Sequence, residues 1–209
     1  MALDTGLLET AEGVIARRYT WAPPALSIGK FQKLEAVPDL PFDLVRRSTG
    51  GRAVLHGEAS EWSFAVAFPP GVPSGGPRAS VDVGGPYGVV AGAFAGALEE
   101  LGVTLDGSGE TAYQRSALCF AGALRYDLCA RGEKIVAIAQ AKRQGRALVH
   151  GSLLMQRPPD ELTTAVEALL GEPWQGEGLS AAGMVLAPET IWNTTLLRLE
   201  AVLRLAAAG

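Results

Sequence analysis

Residues 46–56 read Arg-Arg-Ser-Thr-Gly-Gly-Arg-Ala-Val-Leu-His, which brings together three arginines, a glycine pair and one of the chain's two histidines. Adjacent glycines let a backbone pass close to a ligand with no Cβ in the way. The guanidiniums of Arg46, Arg47 and Arg52 offer bidentate donors to phosphate or carboxylate. Taken alone, Gly50-Gly51 is a plain turn between strands. With the arginines around it, the stretch suits an anionic, activated small molecule. Two further residue types invite chemistry. Cys119 sits in an apolar segment, where a lone cysteine is ordinarily a small buried hydrophobe. Lys134 follows Gly132-Glu133 where a turn enters a strand, ordinarily a solvated position.

The elements that must position these residues are legible in outline. Leu3, Leu7, Leu8, Ala11, Val14 and Ile15 recur at helical spacing and predict an amphipathic helix over 2–16. Pro23-Pro24 opens an extended segment. Residues 52–56 and 62–68 read as strands, and the proline- and glycine-rich stretch 69–87 as a long loop, a length often tied to function or mobility. Residues 87–102 form an alanine-rich helix whose small side chains allow close packing on a sheet. A β-meander is expected over 124–155, with 124–128 alternating, turns at 131–133 and 144–146, and returning strands at 135–141 and 147–155. Residues 160–170 and 189–207 read as helices. Trp62, Phe64 and Phe68 are expected in the core, with one of them a candidate to line a ligand tunnel, and Cys129 is expected to pack within its strand.

Composition narrows the class. A chain of 209 residues, 48% of them hydrophobic, is enough for one well-packed domain spanning 1–209. A net charge of −4 excludes a strongly basic nucleic-acid footprint. Arginines nevertheless cluster at 46–52, and Lys142, Arg143 and Arg146 form a second group, so local positive charge suits an anionic ligand or an acidic protein partner. The two cysteines do not form a Cys-x-x-Cys pair, so neither zinc nor redox chemistry is indicated. No arrangement around His56 or His150 supports a hydrolase triad, and as a pair they do not suggest a metal site. Both read as hydrogen-bonding walls of a pocket. The N-terminus lacks a signal-peptide pattern, and no apolar run reaches roughly 20 residues, so a cytoplasmic protein without membrane association is expected.

Three blocks, in order, resemble the lipoate-protein ligase and octanoyltransferase family, which is related in fold to biotin-protein ligases. Residues 46–56 are similar to its Arg-Arg-x-Thr-Gly-Gly-Arg/Gly-Ala-Val-x-His signature. Residues 18–32, from Arg18-Tyr19-Thr20-Trp21-Ala22-Pro23-Pro24 to Ile28-Gly29-Lys30-Phe31-Gln32, resemble Tyr-x-Trp-x-Pro-Pro-x-Leu-Ser-Leu-Gly-x-x-Gln. Residues 132–140 resemble Gly-x-Lys-x-x-Gly-Ser-Ala-Gln, and residues 149–154 follow where the family has Gln-His-Gly-Ser-Ile-Leu. The resemblance implies an α/β (α+β) fold of the class II synthetase/biotin-protein-ligase type, a mixed and largely antiparallel sheet flanked by helices. It implies catalytic roles for Lys134, at the acyl carbonyl, and for Cys119. Cys119-Phe120 stands seven residues before Tyr126-Asp127-Leu128, as a nucleophilic Cys-Phe precedes Tyr-Glu-Leu in the single-domain, cysteine-dependent octanoyltransferase branch. A thiolate beside Lys134 or the arginines could attack a thioester, and a lysine of lowered pKa could also move a proton. Substrate-binding roles fall on Arg46, Arg47, Thr49, Gly50, Gly51, Arg52, His56, Gln140, His150 and Gly151, and no metal ligand is implied.

The chain departs from the pattern at Ala137-Ile138, where the family has Gly-Ser, at Thr5 and Gly57, where acidic residues are usual, and in residues 121–124. It begins at the family's second or third helix residue, so an N-terminal segment is expected to be missing, and no C-terminal accessory domain is expected. Three readings follow. The leading one is octanoyl transfer from acyl carrier protein through a Cys119 thioester to a lysine of a lipoyl domain, such as the glycine-cleavage H protein or a dehydrogenase E2 subunit, with no cofactor. The second is ATP- and magnesium-dependent ligation of lipoate through an adenylate. The third is a non-catalytic paralogue that binds lipoate, octanoate or another acyl ligand.

Overall fold

The computed structural model describes residues 2–34, 39–57, 60–71, 85–106, 116–124 and 127–207. Two sheets organise them. The larger is antiparallel, in the order β1-β5-β8-β7-β6, built from Ile15–Tyr19 (β1), Glu61–Phe68 (β5), Leu128–Ala130 (β6), Glu133–Arg143 (β7) and Arg146–Leu154 (β8). The smaller has the order β3-β2-β4, from Ala25–Ile28 (β2), Asp43–Arg46 (β3) and Val54–His56 (β4). There β2 runs parallel to β3 and antiparallel to β4. The expected mixed, largely antiparallel architecture is present, flanked by the helices Ala2–Thr10 (α1), Pro86–Glu100 (α2), Asp160–Leu170 (α3) and Pro188–Ala207 (α4). Among the described residues no helix is long and apolar enough to cross a membrane.

Side-chain alternation divides the large sheet into two faces. Trp62, Phe64, Val66 and Phe68 of β5, with Val149 and Leu153 of β8, meet Phe94 and Leu98 of α2 and Ile191 of α4. The three aromatic residues are therefore core, and none lines a tunnel. The opposite face carries Ala65, Ala67 and Leu148 against Leu8 and Ala11 of the α1 segment. The small sheet packs on α3 through Leu26, Leu55, Leu162 and Val166. Val54, Phe120, Ala137 and Leu154 join the two sheets.

The meander forms where its turn residues predict. β6–β7 and β7–β8 are joined by two-residue turns, Arg131-Gly132 and Gln144-Gly145, with all four residues at positive φ. This is the geometry that matches the twist of a hairpin. The first strand begins later than the alternation suggests, at Leu128, and residues 125–126 lie outside the described residues. So do residues 72–84 of the expected long loop. One register shift matters for the site. Leu128 pairs with Val136 but Cys129 with Lys134, which leaves Ile135 as an extra residue on β7. Ile135 and Val136 consequently enter the same core cluster.

Two expectations need correction. The helix predicted over 2–16 stops at Thr10, and Ile15 already belongs to β1. Gly13 costs about 1 kcal/mol inside a helix, and all five residues of β1 gain partners on β5. The glycine stretch does not join two paired strands either, because β2 lies between β3 and β4. It crosses the end of β2, and the crossing requires glycine beneath it: a Cβ on Gly29 would lie 1.9 Å from the Gly51 carbonyl oxygen.

Gly151, at the centre of β8, is constrained just as tightly. A Cβ there would come within 2.2 Å of the Ala137 carbonyl oxygen and 2.6 Å of Phe64 Cζ. Overpacking of this kind costs about 1–3 kcal/mol, and a chain of this length loses about 2–4 °C per kcal/mol. Gly151→Ala should therefore lower the calorimetric Tm by several degrees, and an unchanged Tm would contradict this packing.

Candidate active site

A cavity of about 330 Å³ lies between the two sheets, within the range of small-molecule pockets. Its walls come from β5, β7 and β8 on one side, and from β2, β4, the glycine stretch and the 116–124 loop on the other. Cys119, Asp127 and Lys134 meet at one part of this wall. Lys134 Nζ lies 2.9 Å from Asp127 Oδ2 and 3.7 Å from Cys119 Sγ. The Lys134 and Asp127 side chains are 3% and 4% exposed, and the ammonium lies 5.8 Å from the centre of the Phe120 ring. Burial is the largest single influence on Lys134 and pushes its pKa down, but the Cys119 sulfur and the Asp127 carboxylate together outweigh it and hold the pKa above the ordinary lysine value. These surroundings favour a raised pKa for Lys134 and not the lowered one expected. Asp127 also accepts from Leu124 N–H at 2.8 Å and Ile138 N–H at 3.4 Å. Cys129, opposite Lys134 on β6, packs as expected, with burial first and Asp127 second raising its pKa to about 11.

The cysteine loop is anchored at both ends. Cys119 N–H donates to Ala53 O and Ala53 N–H to Ala117 O, each at 2.8 Å, so the loop docks on the strand entry that follows the glycine stretch. Glu172 Oε1 accepts from Ala117 N–H, Leu118 N–H and the Ser116 hydroxyl at 2.7–2.8 Å. Its placement follows from the end of α3, where Gly171 turns in the left-handed region and directs the next residue back to this loop. Gln32 completes the tie, accepting from Gly29 N–H and donating to Ala117 O, both at 3.0 Å.

The arginines act differently from one another. Arg47 is buried and donates to Ser27 O, Ser27 Oγ, Gly50 O and Arg52 O. Burial lowers its pKa, while the nearby Cys119 sulfur works upward. Arg46 points away from the cavity and donates to the carbonyls of Gly29, Lys30 and Gln32. Arg47 braces the glycine stretch, whereas Arg46 braces the 29–32 segment through Nη1. Arg52, Gly50 and Gly51 do line the cavity. In the second basic group, Arg143 pairs with Glu9 and Arg146 donates to Ala11 O, and neither lines the cavity.

Both histidines face the cavity with partners that sequence proximity did not suggest. His56 Nε2 lies 2.6 Å from Ser27 Oγ, and its Nδ1 lies 3.1 Å from Glu61 Oε1. Its ring stacks on Trp21 at 4.4 Å. A serine, a histidine and a glutamate thus come into line. Ser27 is fully buried, however, and its Oγ already accepts from Arg47, so the array is a rigid polar wall and not a hydrolase triad. Glu61 gives His56 the carboxylate that Gly57 lacks. Thr49 Oγ1 bonds His150 Nε2 at 2.9 Å. Burial and then the Arg47 charge lower the His150 pKa to about 4, so its imidazole is neutral near pH 7. Asp4, beside Thr5, is buried and binds Arg17 and the Tyr19 hydroxyl, and Tyr19 is a further cavity residue.

Of the residues singled out in the sequence, Cys119, Lys134, Arg47, Gly50, Gly51, Arg52, His56, His150 and Gly151 line the cavity, and Thr49 backs His150. Gln140 does not line it. It pairs with Val149 on the helix-covered side of the sheet, where its buried Nε2 has no partner among the described residues. Ile138 packs against the same core and also borders the cavity. Sequence reasoning missed Asp127, Glu61, Ser27 and Glu172. Two carried a signal: Ser27 through the Leu-Ser-Leu part of the 18–32 block, and Asp127 through the resemblance of Tyr126-Asp127-Leu128 to Tyr-Glu-Leu, of which Tyr126 lies outside the described residues. Among the described residues no group of three or more metal-ligating side chains is assembled.

Residues 1–172 match the family described as the lipoyl protein ligase A/B catalytic domain. The octanoyltransferase LipM of Macrococcus caseolyticus is 35% identical over 180 residues, covering 78% of this chain and 63% of its own length. That of Moorella thermoacetica is 36% identical over 176 residues, covering 78% and 62%. The chain thus spans under two thirds of the length of these relatives. Among solved structures, the T. acidophilum protein Ta0514 with bound lipoic acid superposes with a TM-score of 0.69 at 20% identity, over 97% of this chain and 79% of that one. Lipoate-protein ligase A bound with ATP gives 0.66 at 19% identity, over the same shares. At such identities the likeness establishes the fold.

The depressed His150 pKa fixes a sign. Between the ordinary value near 6.5 and about 4 the unfolded chain binds the proton and the folded chain does not. Stability from this group is therefore full above pH 6.5 and falls as pH drops toward 4, by about 3 kcal/mol at most. Urea unfolding between pH 7 and 4 should show a smaller acid-induced loss in His150→Gln than in the parent chain. An equal loss would mean that the imidazole titrates normally.

Proposed function

This chain belongs to the lipoyl protein ligase A/B catalytic-domain family, and we propose that it transfers an octanoyl group from an acyl-carrier-protein thioester, by way of Cys119, to a lysine of a lipoyl domain. The observation that carries this reading is the buried contact of 3.7 Å between Lys134 Nζ and Cys119 Sγ at the cavity wall. The sulfur is the group that would attack the acyl carbonyl carbon, and the neighbouring ammonium would hold the oxygen on which charge develops. The identity to octanoyltransferases supports the choice of acyl group and acceptor.

The chemistry then has two halves. The Cys119 thiolate forms a bond to the octanoyl carbonyl carbon, the carbon–sulfur bond to the carrier breaks, and the carrier thiolate leaves and takes a proton. The acceptor amine next attacks the acyl-Cys119 carbonyl, an amide forms, and the Cys119 thiolate departs. The proton lost by the amine passes through solvent to balance the one taken by the carrier. In both halves negative charge develops on the carbonyl oxygen. An ammonium has three donors; Asp127 and Cys119 take two, leaving one for that oxygen. His56, His150, Gly50 and Gly51 shape the cavity around the acyl chain, and the reaction draws on no nucleotide or metal. Adenylation is the weaker reading, since both terminal nitrogens of the Arg47 guanidinium are taken up by Ser27, Gly50 and Arg52.

Intact-mass spectrometry after mixing the protein with octanoyl-acyl carrier protein, without ATP, should show the addition of one octanoyl group. Cys119→Ala should abolish it, and Lys134→Ala should slow it by about 10²–10³-fold. Lipoylation of a lipoyl domain that requires ATP and persists in Cys119→Ala would instead establish ligation.

A further inference from the structure

We propose that Asp127 is a positioning residue for the transfer, which holds the Lys134 ammonium charged and aimed at Cys119 and couples it to the lip of the cavity. This rests on the acyl-transfer reading for its consequence in turnover, but not for its structural content. The geometry is specific. One carboxylate oxygen, Oδ2, accepts from both Lys134 Nζ at 2.9 Å and Leu124 N–H at 2.8 Å, and Oδ1 accepts from Ile138 N–H. Asp127 therefore ties together the 122–124 edge, the start of β7 and its middle. Leu124 and Gly122 belong to the cavity lining, so the contact that fixes the lysine also fixes the entrance.

The electrostatic reasoning is local. A fully buried ammonium with no partner would shed its proton, because burial penalises the charged form. Among the described residues, the titratable groups around Lys134 are Cys119 from the 116–124 loop, Asp127 at the entry to β6, and Cys129 on β6 itself. Arg47 approaches the same sulfur from the glycine stretch. Asp127 is the one carboxylate that bonds the ammonium. Without it, burial acts on a lysine supported by sulfur alone, and Lys134 begins to lose its charge at lower pH. Loss of the ammonium removes the partner of both the thiolate and the developing oxyanion.

The test has two independent readouts. In protein labelled with 13C-lysine, the Cε resonance of Lys134, assigned by its absence in Lys134→Arg, reports the titration directly. In Asp127→Asn it should titrate at lower pH than in the parent chain. In octanoyl transfer from octanoyl-acyl carrier protein, Asp127→Asn should lose about tenfold or more in kcat with KM little changed, and the alkaline limb of the kcat profile should move to lower pH. Asp127→Glu, which restores a carboxylate, should recover both. Asp127→Ser takes the place of Asp127→Asn in both readouts if the latter does not fold. An unchanged Lys134 titration, or a kcat loss with the parent pH profile that Asp127→Glu does not recover, would overturn the proposal. If the parent chain transfers no octanoyl group the acyl-transfer reading fails, and the resonance titration still decides whether Asp127 governs the lysine.

Discussion

An ammonium placed in a nearly water-free wall constrains everything around it. Lys134 is 3% exposed on its side chain, and an unpaired charge at such a site costs several kcal/mol. The surroundings answer with a carboxylate, a sulfur and an aromatic face. Each then makes demands of its own. Asp127 must be held by donors besides the lysine, and Leu124 and Ile138 supply them. Cys119 must come from a loop rigid enough to keep its sulfur in reach, and Ala53 and Glu172 provide that. Glu172 is in place only because α3 ends at a left-handed glycine. The small sheet, the third helix and the meander thus converge on one charge.

What the sequence disclosed about the fold follows from how local each determinant is. The two β7 hairpins are set by residue pairs, Arg131-Gly132 and Gln144-Gly145, that select their turn without outside help. Helices α2, α3 and α4 carry their own periodicity. The failures are non-local. Ile15–Tyr19 is a strand because β5 offers it an edge, which apolar spacing over 2–16 does not register. Gly29 must be glycine because of Gly51, more than twenty residues later, and the close approach between them exists only once β2 has inserted between β3 and β4.

The site was legible to the extent that motif resemblance names residue types, and illegible where geometry decides their use. Arg46 and Arg47 stand side by side with the same chemistry. Strand alternation turns one outward to brace the 29–32 segment, while the other is buried under the glycine stretch. His56 is met by Glu61 at the start of β5, a pairing that sequence spacing does not single out. Asp127 stood in plain view in the resemblance, but its partner could not be assigned without the β6–β7 register.

That register explains the split between Lys134 and Gln140. The two are six residues apart on one strand, so an uninterrupted strand would place them on the same face. The pairing of Leu128 with Val136 and of Cys129 with Lys134 leaves Ile135 unmatched. Bulges of this kind re-aim side chains and recur beside active sites. Ile135 and Val136 both enter the helix-side core, and alternation resumes in the opposite phase. Lys134, before the bulge, therefore shares the cavity face with Ala137, which packs there with Val54 and Phe120. Ile138 and Gln140, after it, fall to the far side. A strand without the extra residue could present the lysine to the cavity only by turning the Ile138 side chain there as well, where it would narrow the cavity, and by sending Ala137 into a core built for larger side chains. The one-residue insertion lets a charged side chain and a clear cavity floor coexist on a strand whose other face must remain hydrophobic.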